Sequence, residues 1–236
     1  MLKPITTPPI LSPLSVHIWS VHLDDVNAKD LPILLSDDER SRAARFHFDR
    51  DRHRFIVGRT ALRQILATYR NNEPADLKFS YSAYGKPSLE STHSDLRFNV
   101  SHSDSLALIA ITRERELGVD IEKIRDDIEV EQLATRFFSS AEIASFLALE
   151  HPRIAAFFRI WTCKEAFLKG HGMGLALPLD SFDVEVDPAK PAKLLETRPD
   201  TAEAARWSLR SLEVAAGFAA AVAVNGPIEE PLILGW

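Results

Sequence analysis

Two acids lie close together in the stretch Gly118-Val119-Asp120-Ile121-Glu122. Read as a strand, its two-residue period turns Val119 and Ile121 to one face and Asp120 and Glu122 together to the other. Carboxylates about 7 Å apart along a strand face can share a hard cation such as Mg²⁺. That ion takes one or two protein carboxylates and completes its octahedron with water and substrate phosphates. An amphipathic strand with its acids in solvent is the plain alternative. A second group is Trp161-Thr162-Cys163-Lys164-Glu165-Ala166-Phe167-Leu168-Lys169. On a helix, Glu165 and Lys169 share a face, with Trp161 one turn earlier. Either they form an exposed ion pair worth about 0.3–0.5 kcal/mol, or Glu165 serves a metal or a proton and Lys169 a phosphate. Cys163 has only Lys164 beside it to lower its pKa and reads as an inert helical thiol.

Phe98-Asn99-Val100-Ser101-His102-Ser103 ends an apolar stretch in two hydroxyls and an imidazole. The chain has no Gly-x-Ser-x-Gly nucleophile elbow, and strand neighbours face opposite ways, so Ser101 and His102 do not pair as nucleophile and base. Phosphate binding through hydroxyl, imidazole and turn amides suits these residues better, with a turn-stabilising cluster as the alternative. Eight arginines (40, 42, 45, 50, 52, 54, 59 and 63) stand against five acids between Ser36 and Arg63. Such a run points to an anionic ligand or to a solvated helix face. Tyr84-Gly85-Lys86-Pro87 has the form of a hairpin turn.

The elements that must hold these residues come in a repeating order. Ser36-Asp37-Asp38-Glu39 has the form of a capping box and predicts a helix to about Phe48. A longer helix follows from about Asp51 to Tyr69, with apolar residues at 55, 62, 65, 66 and 69, and Asn71-Asn72-Glu73-Pro74 ends it. Strands are predicted at Lys78–Tyr81, Leu96–Ser101, Leu106–Thr112 and Leu117–Glu122. Ser139-Ser140-Ala141-Glu142 then opens a helix to about Glu150, and a long helix runs from Arg153 to about Lys169, stopped by Gly170 or Gly172. Strands at Phe182–Val186, Arg206–Val214 and Phe218–Val224 follow, with Asp187–Glu203 between the first two read as a loop. This predicts an α+β fold of two pseudo-symmetric halves, 1–122 and 129–236, joined by a linker at 123–128, with a ligand cleft between them. No residue-level repeat accompanies the symmetry in the sequence.

Composition bounds the rest. The 236 residues carry a net charge of −6, with 45% hydrophobic and 26% charged residues, which suits a globular protein and gives no global attraction to nucleic acid. Apolar runs such as Leu106–Ile111 and Phe218–Val224 fall far short of the ~20 residues needed to span a bilayer. Prolines at 4, 8, 9 and 13 with only Lys3 as a cation argue against a secretory leader. A single cysteine allows no internal disulfide. A cytoplasmic protein without membrane contact is expected.

Taken in order, YGKP (84–87), FNVSHS (98–103), GVDIEK (118–123), RFFS…E (136–142) and WTCKEAFLKGHGMGL (161–175) resemble the motifs of the Sfp-type 4′-phosphopantetheinyl transferases. The resemblance implies two α+β halves with coenzyme A and Mg²⁺ in the cleft between them. It implies transfer of the phosphopantetheine arm to a serine of an apo acyl or peptidyl carrier protein. It also implies metal ligation by Asp120, Glu122 and Glu165, pyrophosphate contact by Lys169, and phosphate contacts by Ser101 and His102. Lys86 and Pro87 would line the adenine pocket, and Arg42 would meet the 3′-phosphate; a second basic position of the family falls here on Glu39. Glu165 would accept the serine proton, with Lys169 supplying charge. Two fused halves would remove the need for a dimer to complete the cleft, so a monomer is expected. A metal-dependent phosphodiesterase acting on coenzyme A-like nucleotides, or a non-catalytic binder of coenzyme A or carrier protein, would use the same residues differently.

Overall fold

A computed structural model describes residues 10–31, 34–90 and 95–236. Lys3 and the prolines at 4, 8 and 9, on which the argument about a leader rests, lie outside the described residues. The first unit runs β1 (His17–His22), α1 (Asp37–Ala44), α2 (Asp49–Arg70), β2 (Phe79–Tyr81), β3 (Pro87–Leu89), β4 (Leu96–Ser103) and β5 (Leu106–Arg113). The second runs β6 (Leu117–Lys123), α3 (Val130–Phe137), α4 (Ser140–Leu147), α5 (Ile154–His171), β7 (Phe182–Val184), β8 (Leu194–Thr197), β9 (Trp207–Ser211) and β10 (Phe218–Asn225). A last strand, β11 (Leu232–Gly235), returns to lie parallel to β1.

The α+β architecture agrees with the expectation, and strand pairing gives the repeat its phase. The order β1-β5-β4 in one sheet recurs as β6-β10-β9 in the other, antiparallel throughout, and each unit adds a two-stranded ribbon, β2–β3 or β7–β8. Each unit therefore opens with a strand, and the second opens at Leu117, ahead of the segment 123–128. Side-chain parity builds four layers. Trp19, Ile109 and Ile111 pack under α2, while Ile18, Leu108 and Ala110 from the opposite face of that sheet meet Val119, Ile121 and Val222 of the other. Ala221 and Ala223 then turn outward to α5. Helix, sheet, sheet, helix is the result.

The two capping boxes open α1 and α4 as the sequence predicts, and both helices are shorter, ending at Ala44 and Leu147. Asn71 ends α2 in the left-handed conformation, and of the two candidate glycines it is Gly172, at φ 83°, that ends α5. The segment 187–203 is not all loop: Leu194 and Thr197 are buried and anchor β8 against β7. Strand β1 escapes a period-two reading because His17 to Val21 are all buried, so no polar alternation marks it.

A residue-level repeat exists after all, and it is ionic. The third helical residue of each capping box, Glu39 and Glu142, is buried and accepts from the cap backbone N–H at 2.9 Å. Each meets a buried cation of the long helix: Arg63 Nε donates to Glu39 at 2.8 Å, and Lys164 Nζ lies 2.8 Å from Glu142. Each cation then donates to carbonyls of the following segment, Pro74, Ala75 and Leu77 for Arg63, Leu179 and Phe182 for Lys164. Each also faces the first phenylalanine of its ribbon, Phe79 at 5.2 Å and Phe182 at 4.3 Å. Arg in one unit and Lys in the other conceal the correspondence from a linear reading.

Candidate active site

Helix α5 lies against β6 almost without intervening side chain, and glycine makes that possible. A Cβ on Gly118 would stand 2.1 Å from the Ala166 carbonyl oxygen and 2.2 Å from the Gly170 nitrogen. A Cβ on Gly170 would stand 2.8 Å from the Trp207 ring and 3.1 Å from the Gly118 nitrogen. This approach carries the outer face of α5 over the acids of β6. Lys169 Nζ is 2.5 Å from Asp120 Oδ1 and 2.8 Å from Ser101 Oγ, and Ser101 Oγ donates to the same Asp120 oxygen at 2.9 Å. Lys169 is thus paired with Asp120 and not with Glu165, which overturns the i,i+4 surface pair. Asp120 is 2% exposed, so acids in solvent are excluded as well.

The three acids are electrostatically one group. Burial raises the Asp120 pKa against the pull of Lys169. Burial raises Glu122, with Ser103 opposing and Asp120 adding. Burial also raises Glu165, with Asp120 and Glu122 adding and Lys169 opposing. Asp120 Oδ2 is buried and has no hydrogen-bond partner. Among the described residues no group of three or more His, Cys, Asp or Glu side chains is placed to hold a metal ion. Mg²⁺ does not require such a group, since it uses one or two carboxylates and fills its sphere with water and phosphate. An orphaned buried carboxylate oxygen beside two further destabilised acids fits a cation chemically.

Beside the acids is a basic rim. His102 has an exposed side chain, yet the packing around it and then the cations Lys169, Arg42 and Arg54 lower its pKa. Arg42 lies over the Phe55 ring at 5.3 Å and forms no ion pair among the described residues. The rest of the arginine-rich run is largely neutralised: Arg40, Arg50, Arg52, Arg59 and Arg63 pair with Asp37, Asp51, Asp49 and Glu39. Arg54, which sequence reasoning did not single out, pairs with Asp24 and Asp104 at this rim; nothing in its spacing sets it apart from its neighbours. Glu39, where the family pattern has a base, holds Arg59 and Arg63. Burial alone would raise its pKa, and the arginines hold it below the ordinary value.

Lys86 Nζ donates to Glu116 Oε2 at 2.9 Å and to the Gly170 carbonyl at 3.0 Å, tying the β2–β3 turn to the end of α5. Lys86 and Pro87 line a cavity of about 520 Å³ with Ser88, Phe98, Leu117 and Gly172. A second cavity, of about 560 Å³, opens at Ser103 and Glu122 and is walled by Phe157, Phe158 and Trp161. Cys163 is fully buried, and burial pushes its thiol up to about 11, so it is no nucleophile.

Residues 116–223 match the family described as the 4′-phosphopantetheinyl transferase superfamily, and residues 26–114 match the 4′-phosphopantetheinyl transferase N-terminal family. The chain is 43% identical over 226 residues to the 4′-phosphopantetheinyl transferase HetI of Nostoc sp., covering 93% of this chain and 92% of that one. It is 35% identical over 153 residues to the 4′-phosphopantetheinyl transferase Sfp of Bacillus subtilis, covering 64% of this chain and 66% of that one.

Proposed function

The chain belongs to the 4′-phosphopantetheinyl transferase superfamily, and on that premise we propose how its cleft performs the transfer. The enzyme moves the phosphopantetheine arm of coenzyme A to a carrier protein. In our reading a serine oxygen of an apo acyl or peptidyl carrier attacks the phosphorus that bears pantetheine. The bond to the bridging oxygen breaks, and adenosine 3′,5′-bisphosphate leaves with the electron pair.

The pairing of Lys169 of α5 with Asp120 of β6 carries this reading, because it sets a cation and the acids on one spot. Lys169 serves the pyrophosphate by charge. Glu165, whose raised pKa keeps it a usable base and which has no hydrogen-bond partner among the described residues, accepts the serine proton. Arg42 supplies an unpaired cation for the remaining phosphates, and beside it the His102 imidazole and Arg54, which Asp24 and Asp104 hold in place, offer hydrogen-bond donors. Ser101 spends its proton on Asp120 and so acts chiefly through that acid. The cavity beside Lys86 and Pro87 suits the adenine. Asp120, Glu122 and Glu165 are the residues that would hold Mg²⁺, which when bound neutralises charge on the pyrophosphate oxygens.

Both walls of the cleft come from one chain, which supports a monomer. Among the described residues no helix is long and apolar enough to cross a membrane, and the single reduced, buried cysteine suits a cytoplasmic setting. Intact mass of an apo carrier after incubation with coenzyme A and Mg²⁺ tests the proposal. A gain of one phosphopantetheine, lost in Asp120→Ala and Glu122→Ala, is expected. Hydrolysis of coenzyme A with an unmodified carrier would indicate a phosphodiesterase, and binding without either product a non-catalytic module.

A further inference from the structure

Strands β4 and β6 are facing edges of different sheets, and no main-chain ladder joins them. Side chains take its place. Asn99, Ser101 and Ser103, alternate residues of β4, accept from the backbone N–H groups of Val119, Ile121 and Lys123, at 3.0, 3.4 and 3.0 Å. Two of them also turn a proton to the acids: Ser101 to Asp120, and Ser103 Oγ to Glu122 Oε2 at 2.8 Å. A hydroxyl has one proton to give, so the backbone contact fixes where that proton points. Asp120 has Lys169 as a second anchor. Glu122 has only Ser103 as a hydrogen-bond partner among the described residues. The serine is itself held, because the turn after it carries Asp104 at φ 50° and Arg54 grips that aspartate at 3.2 Å.

We propose that Ser103 is a positioning residue for the transfer: it fixes the Glu122 carboxylate so that its other oxygen, Oε1, stays free to meet a divalent cation shared with Asp120. The inference rests on the reading of Asp120 and Glu122 as metal ligands. An oriented ligand needs no rotamer search on binding, and loss of an outer partner of this kind typically costs about 10–100-fold in metal affinity.

Threonine and valine fill nearly the same volume, so the pair Ser103→Thr and Ser103→Val isolates the hydroxyl from packing. Free Mn²⁺ is titrated against each full-length variant by electron paramagnetic resonance, without coenzyme A or carrier, with circular dichroism to confirm folding. Ser103→Val is expected to weaken Mn²⁺ binding about 10–100-fold and to raise the Mg²⁺ requirement in the transfer assay, with KM for coenzyme A little changed. Ser103→Thr should bind close to the wild type. Wild-type Mn²⁺ affinity in Ser103→Val, with loss of binding in Glu122→Gln, would overturn the positioning role and leave the metal reading standing. Undiminished binding in Glu122→Gln would overturn both.

Discussion

At the residue scale the site is held together by charges that dislike their surroundings. Glu165 is pushed up by burial and by Asp120, and Lys169 offsets only part of this. A carboxyl whose folded pKa is raised costs stability when ionised. The penalty is absent below the unfolded value of about 4.3 and complete above the folded one. Glu165→Gln should therefore raise the melting temperature at pH 8, and the gain should vanish by pH 4. A scan of melting temperature against pH for both proteins checks this, and an equal gain at both pH values would mean a packing effect. The acids and Lys169 were legible from type and spacing, because strand and helix periods dictate shared faces. Their partners were not. That Lys169 pairs with Asp120 depends on α5 lying against β6, and that Ser101 and Ser103 serve carboxylates depends on two sheet edges meeting; a one-dimensional period carries neither.

At the element scale the fold depends on two buried ion pairs and one glycine contact. Lys164→Met would leave Glu142 buried and uncompensated, as Arg63→Met would leave Glu39 short of one partner. We expect the first to cost about 3–5 kcal/mol in urea unfolding, and the second less, because Arg59 also holds Glu39. An undiminished unfolding midpoint in Lys164→Met would show that the pair is dispensable. Gly118→Ala has no such margin: the added methyl meets the α5 backbone, so the helix must lift from β6. Transfer should fall with it, together with stability, as followed by activity and thermal unfolding. The helices and most strands were legible because capping boxes and apolar periods are local. Strand β1 and the phase of the repeat were hidden. The first is buried on both faces, and pairing of β6 with β10 brings together segments nearly a hundred residues apart.

At the scale of the whole molecule, an acidic protein brings basic side chains of three elements to one rim: Arg42 from α1, Arg54 from α2, which two aspartates pair, and His102 from β4, whose pKa is lowered. The arginine-rich run allowed an anionic ligand or a solvated face; among the described residues its pairing with nearby acids leaves Arg42 and Arg45 without an ion pair, and of the two Arg42 acts on His102 at the rim. Arg42→Ala should raise KM for coenzyme A more than for dephospho-coenzyme A, which lacks the 3′-phosphate. Equal effects on both would make Arg42 a structural residue through its contact with Phe55. The central claim is the division of labour on α5, in which Glu165 takes the proton and Lys169 supplies charge. Steady-state kinetics of Glu165→Gln, Lys169→Ala and Lys169→Arg on an apo carrier tests it most directly, with circular dichroism confirming the helix. Glu165→Gln should lower kcat by about a hundredfold or more. Lys169→Ala should weaken both coenzyme A binding and turnover, and Lys169→Arg should recover part of that loss. A folded Glu165→Gln enzyme that keeps its kcat would contradict the account.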